Sequence, residues 1–169
     1  MAETIEVLIE IPRGSRNKYE YDEDRGLLRL DRTLYSSVHY PTDYGYIPGT
    51  HADDGDHLDA LVIVEEPTIA PSLLIARPIG VLRMRDDKGL DDKIICVPLA
   101  DPRFEGIEEF SDIAAHWQVE IDQFFRTYKQ LQKLVVDIYG WGARKEAWRI
   151  IEAARVAFVS GPNSHTAGE

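Results

Sequence analysis

The sequence predicts an α+β fold in which a small β-barrel comes first and two helices come last. Short strand-like segments separated by Gly, Pro and Asp follow one another closely through the first hundred residues. From Ser111 onward, apolar residues recur at spacings of three and four, which is typical of a helix face. The length of 169 residues suits one core. No repeat or linker divides the chain, so we expect residues 1–169 to form a single domain.

Each element rests on a particular segment. The strand-like segments are TIEVLIEIP, NKYEYD, GLLRLD, DALVIVEE, SLLIARPIGVLRM and KIICVPL. The first helix is predicted from an apolar face made by Trp117, Ile121, Phe124, Tyr128 and Leu131. The second helix follows YGWG, ends at SGP (residues 160–162), and has one apolar stripe of Ala147, Ile151, Ala154 and Phe158. The tail, residues 163–169, is expected to be loose.

Composition and charge narrow the possible partners. The net charge is -11 and the pI is near 4.9, which disfavours attraction to nucleic acid or to an anionic membrane. No segment approaches the roughly eighteen apolar residues of a membrane span, and the N-terminus lacks the pattern of a signal peptide. The one cysteine, Cys96, lies in an apolar run and is expected to be a buried, inert thiol. We therefore expect a cytoplasmic protein with no nucleic-acid partner and no membrane partner.

Two turns concentrate negative charge. The first acidic turn (residues 53–59, in HADDGDHLDALV) and the second acidic turn (residues 86–92, in MRDDKGLDDK) each hold four aspartates. Two carboxylates roughly 5 Å apart repel by around 3 kcal/mol at an effective dielectric of about 20. Hard divalent cations such as Mg²⁺ take oxygen ligands and would relieve this repulsion. A solvated acidic loop is the alternative explanation, because Asp and Gly are ordinary turn residues.

Other polar residues have two possible explanations each. Lys18 and Glu20 share one face of NKYEYD, and Glu10 shares a face with Leu8, so these could be surface charges or site residues. The segment HYPTDYGYIPG holds three rigid phenols that could donate to anions or plug a loop, namely Tyr40, Tyr44 and Tyr46. Tyr128 could be a core tyrosine, and Lys129 beside it could merely extend its ammonium to water.

Six segments, in this order and at these spacings, resemble the family I soluble inorganic pyrophosphatases in their short prokaryotic form. The segments are EIPRGSRNKYEYD, LDRTLY, YPTDYGYIPGT, DDGDHLDALV, RMRDDKGLDDKIICVP and FFRTYK, within residues 5 to 160. The most specific element is the D-G-D-x-x-D run followed by a strand. The resemblance implies an OB-like five-stranded β-barrel with two C-terminal helices packed on it. It also implies a homo-oligomer, with a hexamer favoured.

The resemblance implies hydrolysis of pyrophosphate to two orthophosphates by a metal-activated water. Several Mg²⁺ would occupy each active site, with Mn²⁺ or Zn²⁺ as substitutes. The implied metal ligands are Glu10, Glu20, Asp54, Asp59, Asp86 and Asp91. The implied phosphate-holding residues are Lys18, Arg32, Tyr44, Lys93, Tyr128 and Lys129. Asp56 would be the base near the attacking water, and Mg²⁺ is expected to raise the melting temperature through binding to the native state.

His57 departs from the family pattern, which usually has Pro and sometimes Glu at this position. Its ring could simply lie in solvent, or it could supplement the metal shell and change the pH profile or metal preference. Two other function classes stay open at this point. One is an OB-like module that binds nucleic acid or polyphosphate without chemistry, and the other is a cation-stabilised barrel without catalysis. Phosphate release from pyrophosphate separates the enzyme from both.

Overall fold

Nine strands and two α-helices make up the regular structure of residues 3–161, the part of the chain that the computed structural model describes. In chain order they are β1 Ile5–Ile11, β2 Asn17–Asp22, β3 Leu27–Thr33, β4 Asp43–Ile47, β5 Leu58–Val62, β6 Ser72–Asp86, β7 Gly89–Leu90, β8 Lys93–Pro98, α1 Ala115–Thr127, β9 Asp137–Ala143 and α2 Arg144–Ser160. The predicted order, with strands first and helices last, is confirmed except for the late strand β9.

Five of the strands close into a ring in the order β1, β4, β5, β8 and β6, because β6 also pairs with β1. The β5–β8 pair is parallel and the other pairs of the ring are antiparallel. Two further strands, β7 and β9, pair with β6 outside the ring. The predicted OB-like five-stranded barrel is therefore confirmed.

The barrel core comes from alternation along the strands. In β1, Val7, Ile9 and Ile11 point inward and are fully buried, while the residues between them face outward. The two helices cover different parts of the barrel: Ile151 of α2 belongs to one core cluster and Phe125 of α1 to the other. Burying a side chain of this kind contributes roughly 1.5–3 kcal/mol. Both predicted helices are thus held to the barrel by their apolar faces.

The sequence analysis did not predict three strands, namely β4, the two-residue β7 and β9. In β4, Gly45 is required because a Cβ there would lie 1.8 Å from the Leu8 carbonyl oxygen of the neighbouring β1. Because Gly45 allows this close approach to β1, a segment rich in Tyr, Pro and Gly can form a central strand. In β9, two glycines interrupt the alternation, and Gly140 has a positive φ of 131° that favours glycine.

Most residues of the two predicted apolar helix faces are buried, but Leu131 and Phe158 are exposed. Leu131 was predicted on the apolar face of the first helix, but α1 ends at Thr127 and Leu131 is 61% exposed in a short 3₁₀ turn. The second helix ends at Ser160, followed by Gly161, while Pro162 and the predicted loose tail 163–169 lie outside the described residues. Phe158 is 40% exposed and its ring meets His51 edge-on.

The expectation that Cys96 is buried is confirmed. Burial raises the pKa of its thiol well above the ordinary range. Within residues 3–161, no helix combines the length and the apolar character needed to cross a membrane.

Strands β2 and β3 form a hairpin (residues 17–33) that stands apart from the ring as a two-stranded sheet. None of the residues in its two strands is buried. The hairpin forms one wall of a deep cavity, and the two acidic turns line other parts of that cavity.

Candidate active site

All thirteen residues that the resemblance assigned to the site line one cavity of about 680 Å³. They arrive from separate parts of the chain: strands β1, β4, β5 and β8, the hairpin, both acidic turns and the segment after α1. The residues are Glu10, Lys18, Glu20, Arg32, Tyr44, Asp54, Asp56, Asp59, Asp86, Asp91, Lys93, Tyr128 and Lys129. The structure therefore brings the whole predicted set together.

A buried ammonium joins the two acidic turns at the floor of the cavity. The parallel register of β5 and β8 sets Asp59 directly beside Lys93. Lys93 Nζ lies 2.6 Å from Asp59 Oδ2, 2.8 Å from Asp91 Oδ1 and 2.8 Å from Tyr44 Oη, and its side chain is 2% exposed. Burial alone would lower the pKa of Lys93, but Asp59, Tyr44 and Asp91 outweigh it and raise the pKa well above the ordinary value. Lys93 is thus a permanent cation within the acidic site.

A second buried ammonium serves the second acidic turn. Lys129 follows α1 directly, and its Nζ lies 3.1 Å from Asp86 Oδ2 and 3.3 Å from Asp87 Oδ1. Burial lowers the pKa of Lys129, whereas Tyr128 and Asp86 raise it to a net value above the ordinary one. The simple explanation, an ammonium extended to water, does not hold for this residue. Tyr128 is buried in the wall beside it, and burial raises the pKa of its phenol.

The surroundings of Glu10 disfavour the charged form of its carboxyl group. Burial, followed by the charges of Asp59 and Glu20, raises its pKa to about 7, although the Tyr21 backbone N–H donates to Glu10 Oε2 at 2.7 Å. The pKa of Asp54 is also raised, first by burial and then by the nearby Asp56 charge. A bound cation would stabilise the charged forms of these two carboxyl groups.

The hairpin wall carries cations and carboxylates in alternation. Lys18 Nζ lies 3.4 Å from Glu20 Oε1 and 3.3 Å from Asp31 Oδ2. Arg32 Nε is buried and has no hydrogen-bond partner within the described part of the chain. A buried donor without an acceptor is costly, so this group is suited to an anion that enters the cavity.

The chemistry of the lining fits hard divalent cations together with phosphate. Ten carboxylates and five cationic side chains line the cavity. Among residues 3–161, no three Asp, Glu, His or Cys side chains are grouped closely enough to hold an ion by themselves. That arrangement is compatible with Mg²⁺, which takes one or two protein carboxylates and fills its remaining positions with water and substrate phosphates. The excess of oxygen donors and the raised pKa of Glu10 both favour cation binding.

His57 lies in the cavity wall with both ring nitrogens in contact with protein oxygens. Nδ1 lies 3.0 Å from the Thr50 carbonyl oxygen, and Nε2 lies 3.0 Å from Glu23 Oε1. To bind a metal, as one interpretation of the sequence suggested, the ring would have to give up one of these contacts. Through these two contacts, His57 connects the hairpin turn at Glu23 with the backbone at Thr50.

Sequence reasoning missed several residues of the cavity, including Glu23, Asp24 and His51. Glu23 and Asp24 lie in the turn of the β2–β3 hairpin. Pairing NKYEYD with GLLRLD as a hairpin would have placed this acidic turn near the site. No comparable signal marks His51, whose backbone N–H donates to the Ala154 carbonyl of α2.

Comparison with known proteins agrees with the geometry of the site. The family profile described as "Inorganic pyrophosphatase" matches residues 7–158. Proteins named "Inorganic pyrophosphatase" from Synechocystis sp. and Methanosarcina mazei are 55% identical over 137 residues and 48% identical over 149 residues, covering 81% and 88% of both chains in each pair. The crystal structure of inorganic pyrophosphatase from Thermus thermophilus superposes with a TM-score of 0.89 at 42% identity, covering 92% of this chain and 91% of that one. The chain therefore belongs to the inorganic pyrophosphatase family.

Proposed function

We propose that this protein hydrolyses inorganic pyrophosphate to two orthophosphates with the help of divalent metal ions. The observation that carries the proposal is the meeting of ten carboxylates and five cationic side chains in one cavity. Carboxylates alone would repel a polyanion, and cations alone would not hold a metal. The combination suits a metal complex of a small phosphoanhydride.

Mg²⁺ is the proposed metal, with Mn²⁺ and Zn²⁺ as substitutes, because the donors are carboxylate oxygens. The residues that would hold it are Glu10, Glu20, Asp54, Asp59, Asp86 and Asp91. When bound, the ions neutralise charge on the substrate and lower the pKa of a water molecule. We also propose that residues 1–169 act as one domain, in the cytoplasm, and that the chain assembles as a hexamer.

The side chains of this protein bind and orient the reactants. Lys18, Arg32, Tyr44, Lys93, Tyr128 and Lys129 would hold the phosphoryl oxygens and stabilise the charge that develops on them. Arg32 can do so through its buried, unpartnered Nε. Lys93 would hold Asp59 and Asp91 in place as well, since its ammonium touches both.

Asp56 would take the proton of the attacking water. The water oxygen forms a bond to one phosphorus, the bond from that phosphorus to the bridging oxygen breaks, and its electron pair leaves with the second phosphate. Asp56 is exposed at the mouth of the cavity, and its backbone N–H donates to Asp54 Oδ1 at 3.0 Å. A base in such a position contributes about 10²- to 10⁴-fold to the rate.

The test is phosphate release from pyrophosphate by purified protein, with Mg²⁺ titrated from zero to millimolar concentrations. We expect metal-dependent release, with a loss of at least about 100-fold in Asp59→Asn, because even partners of a metal ligand cost 10- to 100-fold. Asp56→Asn should lower kcat by about 10²- to 10⁴-fold.

The matched control is Asp53→Asn, which changes an exposed aspartate of the same turn outside the cavity lining. It should retain activity. Absence of phosphate release by folded wild-type protein with Mg²⁺ or Mn²⁺ would refute the proposed function.

A further inference from the structure

The hairpin is held to the barrel by side-chain contacts rather than by sheet hydrogen bonds. Its two strands pair only with each other within the described sheets and bury no residue. One contact lies one residue pair from its turn, where the Tyr21 backbone N–H donates to the Glu10 carboxylate. The hairpin also carries Lys18, Glu20 and Arg32 into the cavity, so its position sets one wall of the site.

A second set of contacts holds the tip of the hairpin. Glu23 directly follows β2, and its Oε1 accepts a hydrogen bond from Tyr46 Oη at 2.9 Å. The same oxygen lies 3.0 Å from His57 Nε2. The other ring nitrogen of His57 contacts the Thr50 carbonyl oxygen, and Thr50 Oγ1 accepts from the Leu58 backbone N–H. These contacts form a continuous path from the hairpin tip to the backbone at the end of the first acidic turn.

The His57 ring is fixed in this path by stacking as well as by the contacts of its two nitrogens. It lies parallel to the Tyr46 ring, with centroids 4.4 Å apart and an interplanar angle of 7°. Tyr46 is itself buried, and burial together with the Glu23 contact raises the pKa of its phenol, so it stays a hydrogen-bond donor. The side chain of His57 is 26% exposed.

The contact between Glu23 and His57 contributes little to the stability of the fold, so its loss can move the hairpin without unfolding the protein. The side chain of Glu23 is 59% exposed, and polar contacts of such exposed groups contribute little to stability. Loss of the contact can still change the geometry of the site. A displacement of about 1 Å in a site that binds a compact polyanion can cost up to 100-fold in rate.

We propose that His57 is a positioning residue that, with Glu23 and Tyr46, holds the tip of the hairpin against the first acidic turn. The three side chains form a latch that fixes the spacing between the hairpin cations, Lys18 and Arg32, and the aspartates across the cavity. A phosphate group that contacts both walls depends on this spacing. The expected effect on kinetics rests on the proposed pyrophosphate hydrolysis. The structural role of the latch does not depend on that function.

The kinetic test compares single and double variants at saturating Mg²⁺. His57→Phe keeps a ring to stack on Tyr46 and removes both ring-nitrogen contacts, while Glu23→Ala removes the oxygen that Tyr46 and His57 share. Each should raise KM for pyrophosphate about 5- to 10-fold and change kcat by less than about threefold. The double variant should be no worse than either single one, because both break the same connection. His57→Gln, which keeps a side-chain N–H donor, should recover part of the affinity.

The control is His116→Phe, the same substitution at an exposed position on α1. It should leave both kinetic constants unchanged. Effects of His57→Phe and Glu23→Ala that multiply in the double variant, or a fall in kcat with unchanged KM, would overturn the latch. Failure of His57→Gln to recover any affinity would also count against it.

Hydrogen exchange gives a readout that does not depend on catalysis. In His57→Phe and in Glu23→Ala, amides of residues 21–26 should exchange faster than in wild type, while those of β5 and β8 should not change. Unchanged exchange at the hairpin tip in both variants would overturn the proposal. If wild-type protein released no phosphate, the proposed function would fail, and the exchange comparison would still decide the latch. If His57→Phe did not fold, Glu23→Ala would carry the same test.

Discussion

The two acidic turns hold the same number of aspartates but meet different amounts of positive charge. In the second acidic turn every aspartate contacts a cationic side chain: Asp86 and Asp87 contact Lys129, Asp91 contacts Lys93, and Asp92 contacts Arg83. In the first acidic turn, within the described residues, Asp59 is the one aspartate with such a partner. The aspartates of the second turn are thus partly compensated by cationic side chains of the protein, whereas three of the four in the first turn have no such partner within the described residues.

Lys93 is where the two turns meet, since it contacts Asp59 of the first and Asp91 of the second. Equal densities of aspartate in the sequence therefore correspond to different physical roles. Partner residues that are distant in sequence decide which role each turn has.

Lys93→Met should cause the largest loss of stability. Removing one partner of a buried ion pair typically costs about 3–5 kcal/mol, because the remaining charges stay buried without compensation. We expect a loss of this size in the free energy of urea unfolding, measured in EDTA. Lys88→Met, at the exposed tip of the second turn, is the control and should change stability by less than about 0.5 kcal/mol. A loss below about 1 kcal/mol in Lys93→Met would contradict the view that this ammonium joins the turns.

Mg²⁺ should stabilise the protein mainly through the first acidic turn. At a free concentration of 100 Kd, binding to the native state alone contributes about 2.7 kcal/mol. A thermal melt with and without Mg²⁺ measures this gain. Asp54→Asn should remove most of it, whereas Asp92→Asn, whose carboxylate contacts Arg83, should keep it. Equal losses of the Mg²⁺ effect in the two variants would show that the turns do not differ in this way.

Glu10 should give the metal-free protein a pH-dependent stability. Its pKa is about 7 in the folded protein against an ordinary 4.5, so between these pH values the folded state keeps a proton that the unfolded chain releases. Stability therefore falls as pH rises from 4.5 to about 7 and does not fall further for this reason above it. Glu10→Gln stays neutral, so relative to wild type it should gain roughly 3 kcal/mol between pH 4.5 and pH 8.

The matched control for that experiment is Glu6→Gln, an exposed position on the same strand. Its stability relative to wild type should not depend on pH. Urea unfolding in EDTA at pH 4.5 and pH 8 measures both variants. A constant difference between Glu10→Gln and wild type across this range would contradict the raised pKa.

Neutralising one aspartate in each turn should give small effects of opposite sign without metal. Asp92→Asn weakens a contact of 3.0 Å with Arg83 and should cost about 1 kcal/mol. Asp54→Asn removes an uncompensated charge and keeps an oxygen for the Asp56 backbone N–H, so it should gain at most about 0.5 kcal/mol. Thermal melts in EDTA compare the two. Destabilisation by both would remove the distinction between the turns.

Local patterns predicted the strands whose burial follows from their own residues. In β1 the apolar residues that face the core alternate with residues that face outward, whereas β6 and β8 are rich in β-branched and aliphatic residues. Both kinds of pattern are visible in the sequence. β4 was missed because its conformation depends on the contact between Gly45 and Leu8, residues that only the fold brings together. Leu131 was misplaced because periodicity continues past Thr127, where the helix ends.

The site was predictable to a similar degree. The resemblance named thirteen of the residues that line the cavity, since motifs keep residue types at fixed spacings. The parallel register that sets Asp59 beside Lys93 was not predicted. Neither were the contacts of Glu23 with His57 and of Arg83 with Glu146, which join residues 34 and 63 positions apart. Such pairs have no local signature.

The closure of the ring by β1 and β6 has a consequence for how the protein folds. Ile5 pairs with Ala76, so the barrel closes through residues about 70 positions apart. Pairings of this separation are slow to form because a long loop must lose its conformational freedom first. Until β6 is available, one edge of β1 has no partner, and an unpaired apolar strand edge invites aggregation. We therefore expect nascent or refolding chains to be most prone to association before β6 docks, and refolding yield to fall as protein concentration rises.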